Sequence, residues 1–245
     1  MLRLRQHITP PRLVYELRRA LIRRPLWAIY RKYRDSTLIP GLRYVRNLEL
    51  VRRSLRAPGC VVECGVWRGG MSAGLAELLG PSREYFLFDS FEGLPPAAEI
   101  DGPAAKEWQR PENSQKNFNN VKAPIEAAES AMKKSGMPRY HIVKGWFRDT
   151  LPSFVPSERI ALLRLDADLY DSTMTCLEKL YPLLADDAIV IIDDYYDWEG
   201  CARAVNDFLS RAQVGSPVPH LRQFDDDVCY FMKPLTTLAP AQSNR

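Results

Sequence analysis

The chain has 245 residues, 46% of them hydrophobic and 26% charged, and a formal net charge of +4. This length fits one large domain with a sizeable core, and the composition is that of a soluble globular protein. Residues 1–40 hold ten Lys or Arg against two acids, a net of +8, so residues 41–245 carry −4. An acidic main part disfavours a nucleic-acid-binding groove, and we expect no nucleic-acid partner.

The five cysteines indicate the compartment. They are odd in number and scattered, and no two form a Cys-x-x-Cys pair. This pattern is typical of reduced, buried thiols rather than of disulfides or a zinc site. No apolar run approaches the length of a membrane span, and the N-terminus lacks the apolar core and cleavage site of a signal peptide. We therefore expect a cytoplasmic protein.

Residues 1–40 form a basic N-terminal extension. Leu13, Leu17 and Leu21 recur at helical spacing with arginines between them, and Pro25 then interrupts the pattern. This predicts one or two helices. Their apolar stripe would pack on the main domain with the arginines in solvent, or the basic helix would make weak contact with an acidic membrane surface.

From residue 41 the pattern alternates between continuous apolar strands and helices. The predicted elements are, in order, the helix LRYVRNLELVRRSLR, the strand CVVE, the helix MSAGLAELLG, the strand EYFLFD, the helix IEAAESAMKKSG, the strands YHIVKG and IALLRLDAD, the helix STMTCLEKLYPLL, the strand AIVIIDDY, the helix CARAVNDFLSRA and a hairpin of HLRQF and VCYFMK. Such alternation predicts an α/β domain over residues 41–235, with a mainly parallel sheet covered on both faces and an antiparallel strand from the hairpin.

Three other segments fall outside this alternation. Residues 91–124 are irregular and rich in Pro, Asn and Ala, and a long loop in a compact domain is more often a lid than a linker. The acidic run Asp225–Asp227 predicts a solvated turn within the hairpin. Residues 236–245 are expected to be a disordered tail.

The first strand-to-helix turn is VVECGVWRGGMS. Its glycine spacing differs from the G-x-G-x-x-G of dinucleotide enzymes, which disfavours a Rossmann dehydrogenase. Glu63, two residues before Gly65, would fit a ligand that carries an ammonium and a sulfonium, although a purely structural glycine turn gives the same pattern. Asp89 ends the second strand, where a carboxylate can hold ribose hydroxyls. It could instead cap the turn SFEGLP.

Four acids follow two later strands. Asp166 and Asp168 are two apart and would face the same side of a strand, while Asp193 and Asp194 end the next strand. The crevice beyond the carboxyl ends of such strands is where α/β sheets bind ligands. Packed carboxylates would be unfavourable without a cation, and Mg²⁺ prefers oxygen ligands. A turn with a helix cap, a metal-dependent glycosyltransferase or an aspartyl phosphatase could also contain such acids.

Five segments together resemble the macrocin O-methyltransferase (TylF-type) family. They are ECGVWRGGMS, FDSFEGLP, KGWFRDTLP, LRLDADLYDST and IIDDYYDWEGCARAVNDF, in that order, within roughly residues 42–232. The resemblance implies the class I methyltransferase (Rossmann-like) fold, a doubly wound seven-stranded sheet with an antiparallel last strand. It also implies S-adenosylmethionine and Mg²⁺ as cofactors, and methylation of sugar hydroxyls on macrolide and related natural products.

The resemblance also implies roles for individual residues. Glu63 and Gly65 would lie by the methionine part of the donor, Asp89 and Ser90 by the ribose, Gly145 and Trp146 by the adenine, and Asp166, Asp193 and Asp194 would bind the metal. Asp168 is then the candidate general base, with Asp166 able to take part in the same step. Trp67 and Arg68 are interpreted as structural.

The segment after Asp168 narrows the acceptor. Catechol-type methyltransferases place a lysine there to deprotonate a phenol, whereas this chain has Leu-Tyr-Asp-Ser-Thr. A sugar hydroxyl of a glycosylated small molecule is therefore the predicted acceptor. Separately, we expect the protein to form a homo-oligomer. A peptide carboxylate or a polysaccharide is the alternative acceptor. A non-catalytic scaffold is the alternative class, but a scaffold has no need of the four acids together.

Overall fold

The computed structural model describes residues 10–211, 217–225 and 227–235, with side chains from residue 20 onward. The basic residues of positions 1–9, the predicted tail 236–245 and Asp226 lie outside the described residues. Within these ranges, every helix is too short or too polar to cross a membrane.

Helices and strands alternate from residue 41 onward, as the sequence predicts. The helices are α1 (Pro10–Tyr33), α2 (Gly41–Ser54), α3 (Gly70–Leu79), α4 (Gly102–Trp108), α5 (Phe118–Val121), α6 (Ile125–Ser135), α7 (Phe147–Thr150), α8 (Tyr170–Leu180) and α9 (Glu199–Ser210). The strands are β1 (Cys60–Cys64), β2 (Tyr85–Asp89), β3 (Tyr140–Lys144), β4 (Ile160–Leu165), β5 (Leu184–Ile192), β6 (Arg222–Phe224) and β7 (Val228–Met232).

The strands of the described residues form one seven-stranded sheet in the order β3-β2-β1-β4-β5-β7-β6. Strands β1 to β5 pair in parallel, and β7 runs antiparallel to β5. Strand β6 completes the hairpin by antiparallel pairing with β7. The predicted fold, a mainly parallel doubly wound sheet with an antiparallel C-terminal strand, is confirmed.

Alternate residues of the central strands face two separate cores. On one face, Val61 and Leu162 pack with residues of α1, α2, α3 and α6. On the other face, Val62 and Leu163 pack with residues of α8 and α9. Strands β1 and β4 are buried along their whole lengths, which explains their continuous apolar sequences. The five cysteines all lie in the described part of the chain, where each is buried and free.

Helix α1 continues through Pro25, so the predicted interruption there is wrong. A proline within a helix removes one backbone hydrogen bond. Arg52 Nη2 of α2 joins the two helices here by donating to the Ile22 carbonyl (2.8 Å). Leu26 and Tyr33 are buried against the domain. Tertiary packing thus maintains the helix where local propensity would end it.

The segment predicted to be an irregular lid contains short helices, α4 and α5, and two 3-10 turns. Polar side chains satisfy its backbone. Gln109 accepts a hydrogen bond from Ala97 N (2.7 Å) and donates one to the Pro95 carbonyl (2.8 Å). Trp108 also packs edge-on against Trp198, with ring centroids 5.7 Å apart. The Pro and Asn content therefore predicted the turns but not the helices between them.

The hairpin turn is not the solvated feature that its acidic run predicted. Asp225 pairs with Arg23 of α1 and with Arg46 of α2, the latter at 3.1 Å. Asp227 lies 2.8 Å from Nη1 of Arg46. Arg23 also donates to the buried Glu49 at 2.6 Å. Asp225 and Asp227 therefore join the C-terminal hairpin to the helices α1 and α2.

Candidate active site

A cavity of about 770 Å³ opens at the carboxyl ends of the parallel strands. The chain changes direction across the sheet between β1 and β4, and ligands bind α/β sheets at this kind of crevice. The walls include every residue that the sequence predicted for the site: Glu63, Gly65, Asp89, Ser90, Gly145, Trp146, Asp166, Asp168, Asp193 and Asp194. The linker before α2 and the predicted lid close two further sides, through residues 37–40 and 93–98.

Gly65 is required by the way β1 approaches β4. Its φ is +85°, and a Cβ built there would lie 1.7 Å from the backbone oxygen of Asp166. Any side chain at this position is therefore excluded for two reasons, the positive φ and the clash of its Cβ with the Asp166 backbone. The glycine lets the donor-side turn and the first acid of the cluster lie in direct backbone contact.

The carboxylate of Asp89 accepts hydrogen bonds from the backbone of two turns. Its Oδ2 accepts hydrogen bonds from Val66 N (2.7 Å) and Trp67 N (2.8 Å), and its Oδ1 accepts one from Phe91 N (2.6 Å). The alternative interpretation, a cap for the turn that follows, is therefore correct as a structural description. Because each carboxylate oxygen has two lone pairs, Oδ1 of Asp89 still has one lone pair free for a ribose hydroxyl.

The adjacent residues shape the same end of the cavity. Ser90 Oγ donates to the Gly93 carbonyl (2.9 Å) and accepts from Glu92 N (3.1 Å), so it closes the turn after β2. Gly145 donates its N–H to the Asp89 carbonyl (2.9 Å). Trp146 then precedes α7 and exposes part of its ring to the cavity.

Three of the predicted acids converge at the other end. Asp166, Asp168 and Asp194 each place one carboxylate oxygen within 4.8 Å of the others. Asp168 donates its backbone N–H to Asp194 Oδ2 at 3.1 Å. Strand β4 ends at Leu165, so the predicted alternation along a strand is not what brings Asp168 into the cavity. Its φ of +56° redirects the chain instead.

Burial makes the negative charge of this cluster costly. It raises the pKa of Asp166 and of Asp194 well above their usual range. Burial also raises the pKa of Asp168 to about 7, and the charge of Asp193 adds to the rise. Carboxylates arranged in this way attract a hard cation, and Mg²⁺ held by a few carboxylates usually keeps positions for water or substrate. The residues present therefore fit Mg²⁺.

Asp193 faces a different partner. Its Oδ1 lies 2.5 Å from Nη2 of Arg164, whose side chain is 0% exposed. Nη1 of the same guanidinium donates to Glu63 Oε1 (2.7 Å) and to Asp166 Oδ2 (2.9 Å). Sequence reasoning missed Arg164. The available signal was an arginine inside an otherwise apolar strand, two residues before an acid of the site.

Glu63 lies at the end of β1 with its carboxylate held on two sides. Ser72 of α3 donates to Oε2, and Arg164 donates to Oε1. Burial raises the pKa of Glu63, and the charge of Arg164 opposes the rise. The predicted donor-side acid is thus ordered before any ligand binds.

Two further cavity residues were not predicted to belong to the site. Asp101, in the lid segment, is 4% exposed and accepts hydrogen bonds from Tyr170 N (2.7 Å) and Ala98 N (2.8 Å). Trp67, interpreted from sequence as structural, lines the cavity with a φ of +49°. Within the described residues, its indole Nε1 is buried without a hydrogen-bond partner.

Comparison with known proteins identifies this arrangement. The model of the macrocin-O-methyltransferase (TylF) family matches residues 40–233. The chain belongs to that family. This confirms the resemblance seen in the sequence, and the protein is an S-adenosylmethionine-dependent O-methyltransferase.

Individual relatives agree with the family match. The chain is 35% identical over 191 residues to the 8-demethyl-8-(2,3-dimethoxy-alpha-L-rhamnosyl)-tetracenomycin-C 4'-O-methyltransferase of Streptomyces olivaceus, covering 74% of this chain and 70% of the relative. It is 32% identical over 193 residues to the mycinamicin III 3''-O-methyltransferase of Micromonospora griseorubida, covering 73% and 72%. The solved structure of the O-methyltransferase NovP aligns with a TM-score of 0.64 at 27% identity, covering 78% of this chain and 81% of NovP.

Proposed function

We propose that this enzyme transfers the methyl group of S-adenosylmethionine to a sugar hydroxyl of a glycosylated small molecule, in a reaction that depends on Mg²⁺. One observation carries the proposal: a cluster of three acids, Asp194 buried and Asp166 and Asp168 half-buried, shares a cavity with the glycine turn of the donor side. The named relatives support the acceptor class, since one acts on a rhamnosyl-tetracenomycin and another on mycinamicin III.

The donor would lie along β1, β2 and the turn after β3. Glu63 would accept a hydrogen bond from the ammonium group, with Gly65 allowing close backbone approach. The remaining lone pair of Asp89 Oδ1 would accept a hydrogen bond from one ribose hydroxyl, with Ser90 keeping the turn after β2 closed. Gly145 and Trp146 would border the adenine.

For the metal, we propose Asp166, Asp168 and Asp194 as ligands. The set implied by the resemblance contained Asp193 in place of Asp168. Convergence of the three oxygens within 4.8 Å supports the revised set, as does the contact of Asp193 with Arg164. When bound, Mg²⁺ would supply a Lewis acid that lowers the pKa of the acceptor hydroxyl.

The residues of the chain would perform the remaining steps. Asp168 has two carboxylate oxygens, so one can serve the metal while the other accepts the proton of the acceptor hydroxyl. The hydroxyl oxygen then attacks the donor methyl carbon as the carbon–sulfur bond breaks, which yields the methyl ether and S-adenosylhomocysteine. Much of the rate would come from holding the two reactants in line. The lid, residues 91–124, would exclude water.

Binding experiments test the donor part of the proposal. Calorimetry with S-adenosylhomocysteine should show binding to the wild type, and Asp89→Asn should bind more weakly, by about 1.5–3 kcal/mol for a lost hydrogen bond to a charged group. Circular dichroism must accompany it, because Asp89 also supports two turns. Binding of NAD instead of S-adenosylhomocysteine would contradict the proposal.

The class of acceptor, the oligomeric state of the enzyme and its cellular location stay predictions, and each has its own test. Methyl transfer to a glycoside, a peptide carboxylate and a polysaccharide should be compared in one assay, and we expect the glycoside to be preferred. Light scattering should show a homo-oligomer. The cytoplasmic location rests on the buried, free cysteines and is tested by cell fractionation.

A further inference from the structure

Arg164 occupies a defined place in the sheet. On the parallel strands β1 and β4 it is the register partner of Glu63, and on β5 it pairs with Ile191. Asp166 follows it by two positions, and Asp193 follows Ile191 by two. Side chains two apart share a face of a sheet. The register therefore brings these three acids around a single guanidinium.

The contacts of Arg164 span both halves of the site. Nη1 donates to Glu63 on the donor side and to Asp166 in the acid cluster, at 2.7 and 2.9 Å. Nη2 lies 2.5 Å from Asp193. A planar guanidinium has donors pointing in several fixed directions, whereas a lysine ammonium is a point charge on a flexible stem. Only an arginine can hold all three carboxylates at once in this geometry.

A purely stabilising role explains this arrangement poorly. Burying a charge costs solvation, and a buried ion pair is often no more stabilising than packed apolar residues of similar volume. The neighbours of Arg164 on β4 are apolar and fully buried, so an apolar side chain would suit that strand. The contacts of the guanidinium point instead to acids that line the cavity.

We propose that Arg164 is a positioning residue that fixes the donor-side Glu63 and the metal-side Asp166 relative to each other. Through Asp193 it also ties the end of β5 to the same unit. The inference rests on the proposed function, because it assigns Glu63 to the donor and Asp166 to the metal. Loss of the guanidinium, which contacts both Glu63 and Asp166, should weaken the binding of the donor and of Mg²⁺.

The test compares Arg164→Lys with a matched control, Arg46→Lys. Arg46 is also a buried arginine, 8% exposed, and it pairs with Asp225 and Asp227, but it does not line the cavity. Calorimetry would give the affinities for S-adenosylhomocysteine without metal and for Mg²⁺ alone. In Arg164→Lys we expect each affinity to fall about tenfold or more, as for a lost hydrogen bond between charged groups. In Arg46→Lys both affinities should stay within about threefold of wild type, because Arg46 does not line the cavity and distant sites are nearly independent.

A second pair of variants covers the case in which Arg164→Lys does not fold. Asp166→Asn and Asp168→Asn each remove one negative charge from the cluster, but only Asp166 contacts Arg164. Without metal, Asp166→Asn should weaken S-adenosylhomocysteine binding about tenfold, whereas Asp168→Asn should not.

The outcomes are distinguishable. Wild type that binds neither ligand would overturn the proposed function itself. Wild type that binds both, with Arg164→Lys unchanged or with Arg46→Lys equally impaired, would overturn the role of Arg164. Equal S-adenosylhomocysteine affinities in Asp166→Asn and Asp168→Asn would overturn it as well.

Discussion

The backbone N–H of Asp168 donates to the side chain of Asp194 at 3.1 Å, which joins the turn after β4 to the end of β5. This bond fixes two acids from different strands in one cluster. It also makes the ligand set testable, because Asp193, adjacent to Asp194 in sequence, faces Arg164 instead.

Asparagine variants test whether Asp193 or Asp194 binds the metal. Asp194→Asn and Asp168→Asn should each weaken Mg²⁺ affinity about 10–100-fold by calorimetry, the usual range for disturbed metal sites. Asp193→Asn should weaken Mg²⁺ affinity less than either of these variants, because its carboxylate contacts Arg164 and is not one of the three converging acids. Equal losses in Asp193→Asn and Asp194→Asn would support the set of Asp166, Asp193 and Asp194 and contradict the revised one.

The turnover of Asp168→Asn tests its second role. At saturating Mg²⁺, the rate should fall by roughly 10²–10⁴-fold, the contribution of a positioned base. Asp193→Asn is the matched control, since it removes a neighbouring charge without removing the proton acceptor. A rate close to wild type in Asp168→Asn would assign the base to Asp166.

The acid cluster should make stability depend on pH. Asp168 has a pKa of about 7 in the folded, metal-free protein and about 3.9 when unfolded. The folded state therefore binds more protons, and the stability that this group contributes is present below about pH 4 and is lost as the pH rises through 7. Asp166 and Asp194 shift in the same direction.

Thermal unfolding between pH 5 and 8 measures this effect. The Tm of the metal-free protein should fall with pH, by about 2–4 °C for each kcal/mol lost. The Tm increase caused by Mg²⁺ should grow over the same range, because ligands must be deprotonated to bind metal. Asp168→Asn should show a flatter dependence, and an identical slope in that variant would remove Asp168 as a cause.

Two glycines with similar φ angles test the contact between β1 and β4. Gly65 has φ +85° and would place a Cβ 1.7 Å from the Asp166 backbone, whereas Gly80 has φ +82° and open space around it. Gly80→Ala should cost only the conformational penalty, about 1–3 kcal/mol, because a ψ of −175° with this φ is a region that glycine alone adopts readily. Gly65→Ala should cost clearly more and abolish donor binding. Equal unfolding free energies by denaturant titration would show that the close approach is unimportant.

The lid can be tested by limited proteolysis. Cleavage should fall between about Glu92 and Pro124, and S-adenosylhomocysteine together with a glycoside acceptor should slow it. Trp108→Ala removes the contact with Trp198 and should speed cleavage of the free protein. Equal rates with and without ligands would leave the segment without a gating role.

The sheet and the location of the site could be predicted from sequence because parallel strands are continuous apolar runs. CVVE, EYFLFD and AIVIIDDY each match a strand of the structure. Acids at the carboxyl ends of such strands are then predicted to lie together at one edge of the sheet. The ten residues predicted for the site all line one cavity, although their individual roles stay predictions.

Features set by long-range contacts could not be predicted. Helix α1 passes Pro25 because α2 and α3 pack against it, and Asp168 enters the cavity through a positive φ that the pattern Asp-x-Asp does not specify. Arg164 was missed because two of its three partners, Glu63 and Asp193, come from other strands and are distant in sequence. The lid helices depend on side-chain contacts such as those of Gln109.

Methyl transfer itself tests the central claim most directly. S-adenosylmethionine labelled in its methyl group should be incubated with a set of deoxysugar glycosides and a peptide that carries free carboxylates, once with Mg²⁺ and once with EDTA. We predict a labelled methyl ether on a sugar oxygen with Mg²⁺ and little product with EDTA. Product formation undiminished by EDTA would contradict the metal role, and labelling of a peptide carboxylate in preference to every glycoside would contradict the acceptor.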